Sequence, residues 1–353
     1  MRSPGDSNPG GAQQPAHAPH MLSASRYLAW VYSPAPQQPV LARLCEIESE
    51  IAGSLRPGID HHVAHARLQW WREECERCAQ GRPVHPLTRE LVKAFGTITS
   101  PSPLAGISGF VDTAVWDLAG ATFETRKELT AYCERWATAM FETLAGTVTA
   151  PEARSAENAH STRARQAANM MRASDATTPV SAVTDPPNAA TSDHISNAPT
   201  TSVVGVDGSV PGADSSRWLA LGAAVREIEL LADLAREAHL GRLRVPLDEL
   251  ERAGVEVKSL ASPLWPAPLA TLLRERHEAL RATLAQCVDP LGREQQMDFR
   301  GLFVWAALAW RQSTRAQRGL PNIISPRRYH AVADGWLAWR AARRAAAGNL
   351  RLS

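Results

Sequence analysis

Lysine is almost missing from this chain: Lys93, Lys127 and Lys258 are the only three among 353 residues, and arginine supplies nearly all the positive charge. Lys+Arg total 38 against 36 Asp+Glu, so there is no surplus of the kind that marks a dedicated nucleic-acid binder. Long hydrophobic runs are missing too, since none approaches the ~20 residues needed to cross a bilayer. The first twenty residues, rich in Pro, Gly, His and Gln, lack the apolar core of an export signal. Five cysteines, an odd number, argue against a disulfide framework and for a reducing, cytoplasmic setting, with peripheral membrane contact left open. The sequence holds no glycine-rich nucleotide loop and no nucleophile elbow. Alternating strand patterns are nearly absent, and 44% apolar content is enough for a substantial core. The expectation is an all-α protein.

Composition divides the chain. Residues 1–22 read as a disordered tail. Residues 23–150 carry helical spacing, as in Leu41, Leu44, Ile47 and Ile51. From 151 to 214 Ser, Thr, Ala, Asn, Asp, Pro and Gly take over, a composition that buries little and predicts a mobile insertion. Helical patterns resume over 215–350. Loop closure grows costly only slowly with length, so both flanks are expected to form one domain.

The stretch from Trp218 to Pro246 places Glu229, Asp233 and Glu237 four residues apart, on one face of a helix expected over 218–240. Three carboxylates one turn apart repel unless a cation, an arginine or water relieves them. Magnesium bridged to diphosphate is one remedy, and salt bridges on a solvated face are another. Glu46, Glu48 and Glu50 form a second acidic cluster, in which Glu46 and Glu50 share a face. Facing acidic helices would suit magnesium-assisted ionisation of an allylic diphosphate beside an apolar cavity. Arg67, Trp70 and Trp71 in RLQWWREE fit either phosphate and apolar contact or ordinary packing with snorkelling charges. His61, His62 and His65 have no nearby acidic or cysteine partner for zinc, and Cys75 and Cys78 form a lone CxxC pair.

Three segments together resemble the squalene/phytoene synthase family, and especially its divergent branch that includes a mitochondrial complex I assembly factor. RLQWWREECERCAQGRPVHPL, residues 67–87, is similar to the family's arginine–double-aromatic helix and the Gly–x–Pro–x–His–Pro turn that follows it. DLAGATFETRKELTAYCERWATAMFETLAG, residues 117–146, places Asp117 and Tyr132 at an aspartate and a tyrosine of the family. LGAAVREIELLADLAREAHLGRLRVPLDEL, residues 221–250, resembles its second acidic helix with a Gly–Arg–x–x–x–Pro exit.

The resemblance implies an isoprenoid-synthase-like helical bundle around a central cavity. Active members condense two prenyl diphosphates head to head with magnesium, and some use NADPH in later steps. Carried over residue by residue, it implies Tyr132 and Asp233 as catalytic groups. Arg67, Trp70, Trp71, Arg226 and Arg242 would contact substrate, and Glu46, Glu50, Glu229, Asp233 and Glu237 would hold metal. The pattern of active members, Asn–x–x–Arg–Asp–x–x–Glu–Asp, here reads Glu229, Ala232, Asp233, Arg236 and Glu237, so only Asp233 is retained outright and Glu237 is a conservative stand-in. Arg236 reverses a charge, and the dense aspartate motif of the first acidic helix is replaced by glutamates. The sequence therefore points to a catalytically weakened relative that binds a prenyl or lipid-like ligand or serves assembly of another complex, with no cofactor. A magnesium-dependent prenyltransferase is the alternative.

Overall fold

Local sequence sets where the helices begin. Asp60 caps one by accepting from the amides of His62 at 2.9 Å and Val63 at 3.3 Å. His85 caps the next through Nδ1 and the Leu87 amide, with Pro86 at the first helical position, where its missing N–H costs nothing. The computed structural model describes residues 23–96, 103–120, 122–147, 211–262, 264–322 and 331–352, with side chains from 215 onward in the second half. The tail over 1–22 and nearly all of the 151–214 insertion expected from composition lie outside the described residues.

The first half contains α1 (Ala24–Tyr32), α2 (Gln37–Gly53), α3 (His61–Ala79), α4 (Pro86–Phe95), α5 (Gly109–Leu118) and α6 (Arg126–Ala137). A wide π-type turn over Thr138–Glu142 continues α6. The second half contains α7 (Pro211–Ala232), α8 (Leu234–His239), α9 (Leu247–Arg252), α10 (Ala267–Val288), α11 (Arg293–Asp298), α12 (Arg300–Gly319) and α13 (Ala331–Ala347). Both halves belong to one compact unit. Among the described residues the only β feature is a single bridge between Leu264 and Asn322. The expected all-α class is what the chain adopts.

One expected helix divides. The 218–240 helix breaks at Asp233, whose φ of −103° and ψ of 9° leave the helical range and whose amide bonds back to Leu230 O at 3.2 Å. Farther along, the chain also breaks at Phe299, between α11 and α12.

Helix α7 is buried nearly all round. Leu221, Ala224, Val225, Ile228 and Leu231 are all in the core, the mark of a helix inside a bundle rather than on its surface. Two glycines let its neighbours close. A Cβ on Gly222 would lie 2.8 Å from both Ala137 Cβ and Phe141 Cγ, so α7 crosses α6 at a distance that only glycine allows. A Cβ on Gly301 would lie 2.7 Å from Ala29 O and 2.0 Å from Ser33 Oγ, which brings α12 onto α1. These crossings place residues of α1, α2, α6, α7 and α12 around one interior point.

Candidate functional site

Helix α2 turns Leu41, Leu44, Cys45, Ile47 and Ile51 inward, and Glu48 falls in the middle of that arc. It is not left alone there. Both Nη atoms of Arg26, from α1, fork onto its carboxylate, one of them at 3.2 Å. Trp136 of α6 donates its indole N–H to Glu48 Oε1 at 2.8 Å. From α7, Arg226 Nη1 approaches Glu48 Oε1 at 4.0 Å and Glu229 Oε2 at 3.5 Å. Glu229 completes the ring, with Arg26 Nη2 at 3.6 Å and the Trp305 indole of α12 donating at 3.2 Å.

The cluster is therefore two carboxylates, two guanidinium groups and two indoles. Arg26 also lies over the rings of Trp136 and Trp305 at 5.7 and 5.4 Å, and Arg226 lies over Trp136 at 5.2 Å. Trp136, Trp305 and Phe141 are wholly buried and in ring contact. Burial alone would push the Glu48 carboxyl up, but Arg26, Arg226 and the Trp136 hydrogen bond hold it below the usual carboxylate range. Burial likewise opposes the charge on both arginines; Glu48 and Glu229 more than restore it on Arg26, and Tyr132 followed by the same carboxylates does so on Arg226.

A chain of polar contacts continues from Arg226. Its Nη2 lies 3.5 Å from the Tyr132 hydroxyl, which donates to Asp117 Oδ2 at 3.1 Å. Arg244 then joins Asp117 Oδ1 at 2.8 Å to Glu237 Oε2 at 3.1 Å. Burial, with Asp117 adding, pushes the Tyr132 phenol up to about 12 despite Arg226. Glu237 is raised by burial but lowered more by Arg244 and Arg242, and so lies below the ordinary range.

A separate buried charge, Glu227, is clasped by Arg276 of α10 and by Arg126 Nη1 at 2.6 Å, while Arg126 Nε also reaches Glu249 of α9 at 2.6 Å. These pairings tie α6, α7, α9 and α10 together.

The residues expected from sequence are distributed unevenly. Glu229 and Arg226 lie in the central cluster, with Tyr132 beside them. Glu237 turns to Arg242 at 2.8 Å and to Arg244, while Asp233 pairs with Arg236 at 2.9 Å nearer the surface. Arg236, which reverses a charge of the family pattern, has a side chain 61% exposed; Arg26 and Arg226 occupy the interior instead. Glu46 and Glu50 do not join the group: Glu46 pairs with Arg43 at 2.5 Å on the opposite arc of α2, and Glu50 is exposed. Trp70 and Trp71 pack with His85 at the α3–α4 turn, and Arg67 is exposed.

Sequence reasoning missed Arg26, Trp136, Trp305 and Arg244, and it passed over Glu48 in favour of its neighbours. The signal for Glu48 was present, because it stands four residues after Leu44 and three before Ile51, inside the apolar arc.

These side chains do not fit magnesium. That ion takes six oxygens in near-octahedral array and is usually held by carboxylates with free lone pairs. Here the carboxylates already accept from arginine and tryptophan. A divalent ion about 4 Å from one guanidinium would meet roughly 8 kcal/mol of repulsion at an effective dielectric constant near 20. Among the described residues no three His, Cys, Asp or Glu side chains converge as a metal site.

The family model for squalene/phytoene synthase matches residues 22–330. The chain belongs to that family. Two solved structures are similar in fold. A dehydrosqualene synthase in complex with ligand superimposes with a TM-score of 0.61 at 15% identity, covering 92% of this chain and 91% of that one. Squalene synthase HpnC from Alicyclobacillus acidocaldarius gives 0.55 at 13% identity, over 84% and 89%. A comparison with curated proteins finds no match. The isoprenoid-synthase fold expected from the resemblance is thus the fold of this squalene/phytoene synthase relative.

Proposed function

We propose that this member of the family no longer condenses prenyl diphosphates, and acts by binding a prenyl or lipid-like ligand or by supporting assembly of another complex. The observation that carries this reading is the placement of Arg26 and Arg226 between Glu48 and Glu229. Catalysis of diphosphate departure needs positive charge that becomes more stabilising as the leaving group ionises. Guanidinium groups already facing carboxylates have less to offer a departing anion, although Arg226 keeps a buried Nε without a hydrogen-bond partner. Trp136, Trp305 and Phe141 fill the space beside them. The likeness to the assembly-factor branch, with its altered acidic helices, supports the same view. A prenyl or lipid-like ligand partitions into bilayers, so peripheral membrane contact accords with it.

The test is incubation with farnesyl and geranylgeranyl diphosphates and magnesium, with and without NADPH, while diphosphate release is measured. No release above the protein-free rate is expected. Release that disappears in Asp233→Asn would overturn the proposal and establish the magnesium-dependent prenyltransferase instead. That second reading draws on the family match and on Glu229, Asp233 and Glu237, which still follow one another at four-residue intervals.

A further inference from the structure

Helix α13 buries one face, and among the described residues nothing covers the other. Ala338, Ala341, Ala342 and Ala345 are in the core, where α13 packs on α12, α11 and α1. On the opposite side Val332 is 88%, Trp336 55% and Trp339 46% exposed. Spacings of four and three residues put these three on a single stripe. Two of the three exposed tryptophans among the described residues therefore stand one turn apart on one helix.

The charge on this face has one sign. Arg340, Arg343 and Arg344 are exposed, and the guanidinium groups of Arg340 and Arg343 lie over the Trp336 and Trp339 rings at 5.2 and 5.4 Å. The acidic residue of the helix, Asp334, turns away from the stripe and pairs with Arg311 of α12 at 3.3 Å. Neighbouring α1 exposes Tyr27 and Val31 as well.

We infer that this stripe docks the protein on an anionic bilayer surface, with α13 lying in the plane of the interface. Indole rings settle at the headgroup level, and arginines beside them meet lipid phosphates. A convex single-helix stripe needs no shaped groove, which suits a deformable lipid surface better than a folded partner. No helix among the described residues is long and apolar enough to cross a membrane, so the contact is peripheral. The inference stands whether or not the interior condenses prenyl diphosphates, and its test contains none.

The full chain is sedimented with vesicles of pure phosphatidylcholine and of phosphatidylcholine with 30% phosphatidylglycerol. Binding is expected to the anionic vesicles, to weaken in 0.5 M salt, and to fall about tenfold or more in Trp336→Ala/Trp339→Ala and in Arg340→Glu/Arg343→Glu. Brominated lipids should quench tryptophan emission in the native chain but much less in Trp336→Phe/Trp339→Phe, which locates the contact. Far-UV circular dichroism checks that each variant keeps its helices. Equal binding to both vesicle types, wild-type binding by the alanine pair, or a lipid-free dimer that the alanine pair abolishes would overturn the inference.

Discussion

Arg226 and Glu48 stand 4.0 Å apart across the interface of α7 and α2, and Arg26 closes on the same carboxylate from α1. Residues 200 positions apart in sequence thus share one buried charge balance. The arrangement is neutral as a whole and unforgiving in its parts. A buried ion pair contributes little net stability against a well-packed apolar replacement, but losing one member strands the other.

Arg26→Ala should therefore destabilise the protein by roughly 3 kcal/mol, because Glu48 keeps only Arg226 and Trp136. Arg26→Met combined with Glu48→Leu should cost much less than the sum of the two single changes. Urea denaturation midpoints of the four proteins in the cycle measure both effects. Additive losses would show that the pair is not coupled.

Acid should destabilise the protein through two kinds of buried group, an imidazole first and carboxylates as pH falls further. His277 is buried and hydrogen-bonded to Ser313; burial first, and Arg281 next, lower its pKa to about 4. The unfolded imidazole protonates nearer 6.5, so the unfolded state binds more protons between those values and stability falls as pH drops through that window. The loss is about 3 kcal/mol. Glu48 and Glu237 have folded values below the ordinary carboxylate value of 4.5, so their stabilisation is present above it and is lost as pH falls further. Denaturation midpoints from pH 8 to 3 should show both limbs, and His277→Asn should remove the dependence between pH 6.5 and 4.5.

Gly301→Ala should destabilise the α1–α12 crossing by about 1–3 kcal/mol, despite alanine's better helix propensity, since the new methyl meets the Ala29 carbonyl. Because that crossing also brings Arg26 near Trp305, a change in tryptophan emission should accompany the lower melting temperature.

The cysteines should be unreactive in the native protein. Cys45, Cys75 and Cys78 are buried, and burial pushes each thiol up to about 12, which leaves almost no thiolate at pH 8. Reaction with a thiol reagent should be slow in buffer and complete in denaturant. Prompt labelling at Cys75 or Cys78 would revive a redox role for the CxxC pair.

Much of this was legible beforehand. Helical spacing and the lack of alternation marked the class, and the order of three segments marked the family. The turn from Gly81 to Pro86 could also be read, although its anchor could not. Glu74, wholly buried, accepts from the Val84 and His85 amides at 2.8 Å each and from Thr88 and Arg77. Burial raises its carboxyl, and those four donors together bring it below the usual range. In sequence Glu74 is one of two adjacent glutamates, and only its position over the turn sets it apart.

The linear order of residues determined that the chain would be helical, that its charges would be arginines, and that carboxylates would recur every fourth residue. Which carboxylate faces inward, and which arginine meets it, was decided by packing. Glu48 rather than Glu46 points to the interior because α2 buries the arc that contains it, and Arg26 meets it because α1 packs against α2. Electrostatic pairing between side chains depends on distance in space, and that distance exists only once the helices have crossed.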